Sequence, residues 1–268
     1  MYLGIIKKII LIIIVLSSNS LIAQVDRSIP DPGPAPEIKF KTPITKKLDN
    51  NLTLMIVVDS KLPTASATLI IDNPPILSKD KSGVKSLLSS SLGKGNNFQN
   101  KDEFIEEKDF MGSFINYNSN GGSMSSLSRY FERTLTMFAQ GALYPVFTNE
   151  EFEKEKSKLI EGLKVDEKNA STIARRVENV LAFGNGHPQS EYTTQESVSN
   201  VVIDDISNFY DTYFRPNNAY LVVLGDVDVD ETIEIAEKLF GEWKNSENLN
   251  SLFEDESINS FREPTMSD

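Results

Sequence analysis

Two hydrophobic periods alternate along this chain, and any fold has to accommodate both. Residues 44–48 and 52–58 carry strand-like apolar runs on either side of Asn50-Asn51, which predicts a hairpin. Residues 65–72 give a third strand, closed off by Pro74-Pro75. Residues 114–119 and 122–128 flank a turn at Asn120-Gly121, and 219–224 is an unbroken apolar run of the buried-strand type. Between these segments the spacing becomes helical. Helices are predicted from about Lys81, over 101–111, and over the stretch carrying Phe131, Leu135, Phe138, Ala139, Ala142 and Leu143. A long helix starts near Asn149, taken as its N-cap, and continues with a break at Asn169 through Val177, Val180 and Leu181. Two more follow, over 202–213 and 230–243. Hairpin strands interleaved with helices predict an α+β sandwich, helices packed on a largely antiparallel sheet.

The two ends do not share these patterns. Residues 1–23 have a cationic start at Lys7 and Lys8, an apolar run from Ile9 to Leu16 and a small residue, Ala23, where cleavage would fall. That is the pattern of a secretory signal peptide; the other reading is an uncleaved anchor. Eight apolar residues are too few to span a bilayer, which takes about 20. Residues 24–38 include the proline-rich IPDPGPAPE and read as a tether, 39–244 as the folded domain, and 245–268 as a polar linker or tail. Export to the periplasm of a Gram-negative bacterium is the expected location. The chain has no Cys, so no disulfide framework supports the domain. Its net charge of −12 argues against nucleic acid and anionic membrane as partners and favours neutral or basic ones.

The segment GVKSLLSSSLGKG, residues 83–95, is informative for what it lacks. Val84, Leu87, Leu88 and Leu92 share one helical stripe, and Ser86, Ser89 and Ser90 cluster on another at i, i+3 and i+4. A zinc-peptidase helix carries His, Glu and His at that spacing. Serine hydroxyls neither hold zinc well nor act as a base at neutral pH. The whole chain has one His, His187, in a glycine-rich loop, whereas a catalytic zinc takes about three protein ligands drawn mostly from His.

Several stretches, in order, resemble the insulinase-like M16 peptidases, including the processing-peptidase branch. They are LDNNLTLMIVVD at 48–59, the serine helix, FEKEKSKLIEGLK at 152–164, and YFRPNNAYLVVLGDVD at 213–228. The resemblance implies that Ser86 and Ser90 stand at the two histidine-ligand positions and Ser89 at the general-base position. It puts Gly162 at the third-ligand position, with Glu161 one residue, or about 100° of helix rotation, out of register. Glu155 matches an acidic position that the family keeps near its metal. The resemblance further implies an M16-type α+β domain and two homologous halves facing each other across a cleft, of which this chain holds the first. In the family the strand edge at the cleft pairs with extended substrate, which makes Asn120, Gly121, Gly122 and Ser123 the peptide-contact candidates.

Other chemistry fails on spacing. Ser82-Gly-Val-Lys85 and Ser91-Leu-Gly-Lys94 satisfy Ser-x-x-Lys, but the Ser-Asp-Asn and Lys-Thr-Gly elements that must accompany it are missing. Gly93-Lys94-Gly95 lacks the upstream glycine of a phosphate loop, since that position is Leu88. The expectation is therefore a non-catalytic M16-like subunit without its own cofactor, zinc residing only in a catalytic partner. That subunit pairs with a histidine-intact homologue, or with a missing C-terminal half, to enclose an extended peptide. The alternatives are a stand-alone periplasmic peptide-binding or scaffold module and an inactive fragment of a longer subunit.

Overall fold

The computed structural model describes residues 41–246 and, in a separate N-terminal unit, only Lys7 and Gly33. The signal peptide, most of the tether and most of the tail predicted above lie outside the described residues.

Six strands and eight helices make up the described domain. The strands are β1 (Ile44–Lys47), β2 (Thr53–Val58), β3 (Thr64–Ile71), β4 (Phe114–Asn118), β5 (Gly121–Leu127) and β6 (Ala219–Gly225). The helices are α1 (Val84–Ser91), α2 (Lys101–Phe110), α3 (Phe131–Leu143), α4 (Asn149–Asp166), α5 (Ala170–Phe183), α6 (Gln195–Asn200), α7 (Ile203–Tyr213) and α8 (Val229–Phe240). The sheet order is β1-β2-β6-β3-β5-β4, with every pair antiparallel except β2 and β6. The architecture is α+β, with helices on a mixed, mostly antiparallel sheet.

Alternation decides which face is covered. Leu54 and Ile56, Leu221 and Val223, Ala67 and Leu69, and Met124 stand in register across four strands, and all are buried. This face packs on α3 and α8, and the opposite face carries Thr68, Val222, Ser66 and Leu224, half-buried or exposed. Helix α1 packs against β4, α4 and α7, which places the serine helix at the β4 margin of the sheet.

The motif stretches have structural causes. At the hairpin turn the buried Asn50 donates from Nδ2 to the carbonyls of Phe240 (2.7 Å) and Trp243 (3.0 Å), which pins β1–β2 to the end of α8. Within Arg-Pro-Asn-Asn, Asn217 exchanges two hydrogen bonds with the backbone of Ser246 (3.0 and 2.9 Å), fixing where the chain leaves α8. Gly225 has φ +140°, and a Cβ there would lie 2.3 Å from the Thr64 carbonyl oxygen and 2.6 Å from the Cα of Ala65. The Gly-Asp exit is thus a close backbone crossing as well as a left-handed turn.

Candidate functional site

On α1 the leucines are buried, as the stripe predicts, while Ser86 is exposed and Ser89 and Ser90 are partly buried. The hydroxyls are used locally. Ser89 Oγ donates to the Lys85 carbonyl (2.7 Å) and accepts from the Ser119 backbone N–H (2.8 Å). Ser90 Oγ donates to the Leu87 carbonyl (3.1 Å). Ser89 therefore ties α1 to the β4–β5 turn. Donation back into the helix is the ordinary fate of a helical serine, and it leaves no ligand set of the kind zinc takes.

On α4, Glu161 and Gly162 are both exposed, and a Cβ at Gly162 would have nothing within 4 Å. Nothing in the packing requires glycine at 162. Glu155 is only 9% exposed. It accepts from Lys158 Nζ at 2.9 Å and pairs with Lys94 Nζ at 3.4 Å. Burial pushes its carboxyl up, but the hydrogen bond from Lys158 and the charge of Lys94 outweigh that and hold it below the ordinary value. Two ammonium groups therefore flank this acid. His187 lies elsewhere, stacked on Phe183 (ring centroids 5.0 Å apart), and its Nδ1 accepts from the Gln189 N–H at 3.0 Å. Among the described residues no three His, Cys, Asp or Glu are grouped so as to hold a metal ion. The residues present do not fit the zinc of a catalytic M16 site.

The structure places the peptide-contact candidates inside the sheet and not at its margin. Gly121, Gly122 and Ser123 belong to β5, which pairs with β3 on one side and β4 on the other, and the carbonyl of Asn120 accepts from the Ile71 N–H at 2.8 Å. An internal strand has no free ladder to offer. The glycines are there because the backbones are close: a Cβ at Gly121 would lie 2.1 Å from the Leu69 carbonyl oxygen. The sheet has two edge strands, β1 and β4, and β4 is the one beside β5. Strand order depends on pairings distant in sequence, so local turn signals could not supply it.

That edge is anchored from inside by Tyr117. Its ring stacks on Phe138 (centroids 5.4 Å apart, 2° between planes), and its hydroxyl donates to the carbonyls of Phe138 (3.1 Å) and Met137 (3.3 Å). Burial pushes the phenol far above its ordinary value. Gly93 and Gly141 give the ring its slot: a Cβ on either would come within 2.7 Å and 2.3 Å of it.

Beside β4 lies a cleft of about 280 Å³ floored by Ser89 and Ser90, with Ile115 and Asn116 of β4 on one wall and α2 on the other. Lys94, Lys101 and Lys108 line it, and no carboxylate does. These lysines and the β4 edge were missed from sequence. The available signal was Lys101, Phe104, Ile105 and Lys108 on one face of a predicted helix.

Solved structures share this architecture. A protease from Helicobacter pylori matches with TM-score 0.71 and 20% identity over 78% of this chain and 52% of its own. A peptidase M16 inactive domain from Pseudomonas fluorescens gives 0.70 and 17% over 77% and 52%. The first half of the periplasmic protease PqqL from Escherichia coli gives 0.66 and 16% over 77% and 47%. The chain spans about half the length of these structures. None of the curated proteins matches it. Fold and site together define an α+β domain whose α1 face carries hydroxyls. Residues 200–266 match the family model described as Peptidase M16 inactive domain. Over the described residues the chain shares the fold of the M16 inactive domain structure.

Proposed function

We propose that this chain is a non-catalytic M16-like subunit that holds an extended peptide, working with a zinc-bearing, histidine-intact M16 homologue. The observation that carries the reading is the pairing of Ser89 and Ser90, their hydroxyls bonded to backbone, with the edge strand β4 across one cleft. The edge offers unpaired backbone groups to an incoming strand, and the neutral hydroxyls exact no charge requirement at the cleft floor. The peptide-contact group proposed from sequence moves one strand over: β4 presents the edge, while residues 120–123 support it.

The amino-terminal signal pattern supports export, and one structural neighbour is a periplasmic protease. No helix among the described residues is long and apolar enough to cross a membrane.

The test has two arms on the full chain. Metal analysis of the purified protein should find well under one zinc per chain, and chelators should not alter any activity in the preparation. Co-expression with a tagged histidine-intact homologue should recover this chain in a one-to-one complex. Stoichiometric zinc with chelator-sensitive cleavage by this polypeptide alone refutes the non-catalytic reading, and failure to associate at micromolar concentration refutes the subunit reading.

A further inference from the structure

The chain is strongly acidic, yet the cleft beside β4 is lined by cations alone. Lys94 follows α1, and Lys101 and Lys108 lie two turns apart on the face of α2 that looks across the cleft. The cleft of about 460 Å³ near His187 is mixed, with Asp80, Glu191 and Glu196 beside Lys79, whereas an adjoining cleft of about 390 Å³ shares Lys94 and Lys101 and also has no carboxylate in its lining. Each lysine of the β4 cleft has a carboxylate neighbour outside the lining. Lys94 pairs with Glu155 (3.4 Å), Lys101 with Glu151 (2.8 Å) and Lys108 with Asp109 (3.3 Å). An ammonium has three N–H donors, so one such partner leaves donors for an occupant. The hydrogen bond to Glu151 raises the Lys101 pKa, which keeps that group charged throughout the neutral range.

The apolar surroundings suit a chain, not a free anion. Ile105 lines the cleft between Lys101 and Lys108, and at the α2–β4 turn Phe110 is 81% exposed and Phe114 59%. An isolated anion gains nothing from such side chains or from a strand edge. A peptide laid along β4 meets backbone partners, apolar side chains and ammonium groups at once.

We propose that this cleft selects extended peptides that carry carboxylates, with Lys94, Lys101 and Lys108 as the selecting groups. The inference rests on the strand-edge reading of β4 above and adds the chemistry of the occupant. It runs against the partner preference expected from the chain's net charge.

The experiment uses fluorescein-labelled ten-residue peptides with one apolar framework and either Glu, Gln or Lys at the variable positions, read by anisotropy on the full chain. At about 50 mM salt the Glu peptide should bind about tenfold more tightly than the Lys peptide, and the gap should narrow at about 0.5 M as the exposed charges are screened. Lys108→Glu and Lys94→Gln, each checked for an unchanged unfolding midpoint, should each reduce the preference severalfold. An N-methylated Glu peptide should bind poorly, because it keeps its charge but loses strand pairing. Equal affinity for all three peptides, or a preference for Lys, overturns the charge selection and leaves the edge reading standing. Full binding by the N-methylated peptide, or no binding by any peptide, overturns both.

Discussion

Gly141 lies inside α3, where replacing glycine by alanine ordinarily stabilises a helix by roughly 0.5–1 kcal/mol. Here the sign should reverse. The added methyl would sit 2.3 Å from the Tyr117 hydroxyl oxygen and 2.8 Å from its Cζ, more than 1 Å inside ordinary contact. The ring has nowhere to retreat, because it is stacked on Phe138 and closed in by Gly93. Overpacking of this kind costs about 1–3 kcal/mol, and displacing the hydroxyl from the carbonyls of Met137 and Phe138 costs about 0.5–1.5 kcal/mol more. After the helix-propensity gain, Gly141→Ala should lose about 1–3 kcal/mol. With a urea slope of about 2–3 kcal/mol per molar, its midpoint should fall by about 0.5–1 M. Tyr117→Phe removes the atom of closest conflict, so in that background the penalty should shrink by about 1 kcal/mol, a coupling that a double-mutant cycle reads directly. A Gly141→Ala protein as stable as the parent, or equal penalties in the two backgrounds, would show that the Tyr117 slot is not as tight as described.

Asn50→Ala should lose about 2–4 kcal/mol, because it strands the Trp243 carbonyl and the Leu52 N–H, which bonds Asn50 Oδ1, and leaves the Phe240 carbonyl with the Trp243 N–H as its donor; a thermal midpoint lowered by on the order of 10 °C is the check. For Glu107, hydrogen bonds from Arg133 lead the causes that hold its pKa below the ordinary 4.5, so its contribution is present above that pH and is lost as pH falls through it toward the depressed value. Glu107→Gln should therefore flatten the stability profile between about pH 5 and 3 in urea titrations, and an unchanged profile would remove the pair from the account.

Much of the fold was legible in the sequence where the determinants are local. The β1–β2 turn follows from Asn50-Asn51, and Asn51 does adopt a positive φ of 71°. Asn169 was read as a break in the long helix, and its side chain caps α5 by accepting from the N–H groups of Ser171 and Thr172. The cap of α4 is Thr148, one residue before the Asn149 expected, and both are residue types that cap well. Helix α6 was missed: it is six residues long, and its reciprocal cap pairs Thr194 with Ser197 where a Glu or Gln is the usual sign. At the site, the buried leucine stripe and the serine face of α1 could be read from residue types and spacing alone. Which strand is at the edge, and which lysines gather beside it, depends on β6 entering between β2 and β3 and on α1 and α2 closing over β4. No local pattern encodes either.

The place of β6 has a consequence for how this molecule comes into being. Strands β2 and β3 are consecutive in the chain yet never touch as partners; the gap between them is filled by a strand about 150 residues further on, parallel to one and antiparallel to the other. Until residues 219–225 are free to pair, the strands can form at most a two-strand and a three-strand piece, each with an unpaired margin. Closure at the centre comes last, loop entropy sets its pace, and the nascent chain is most vulnerable to aggregation just before that final strand arrives.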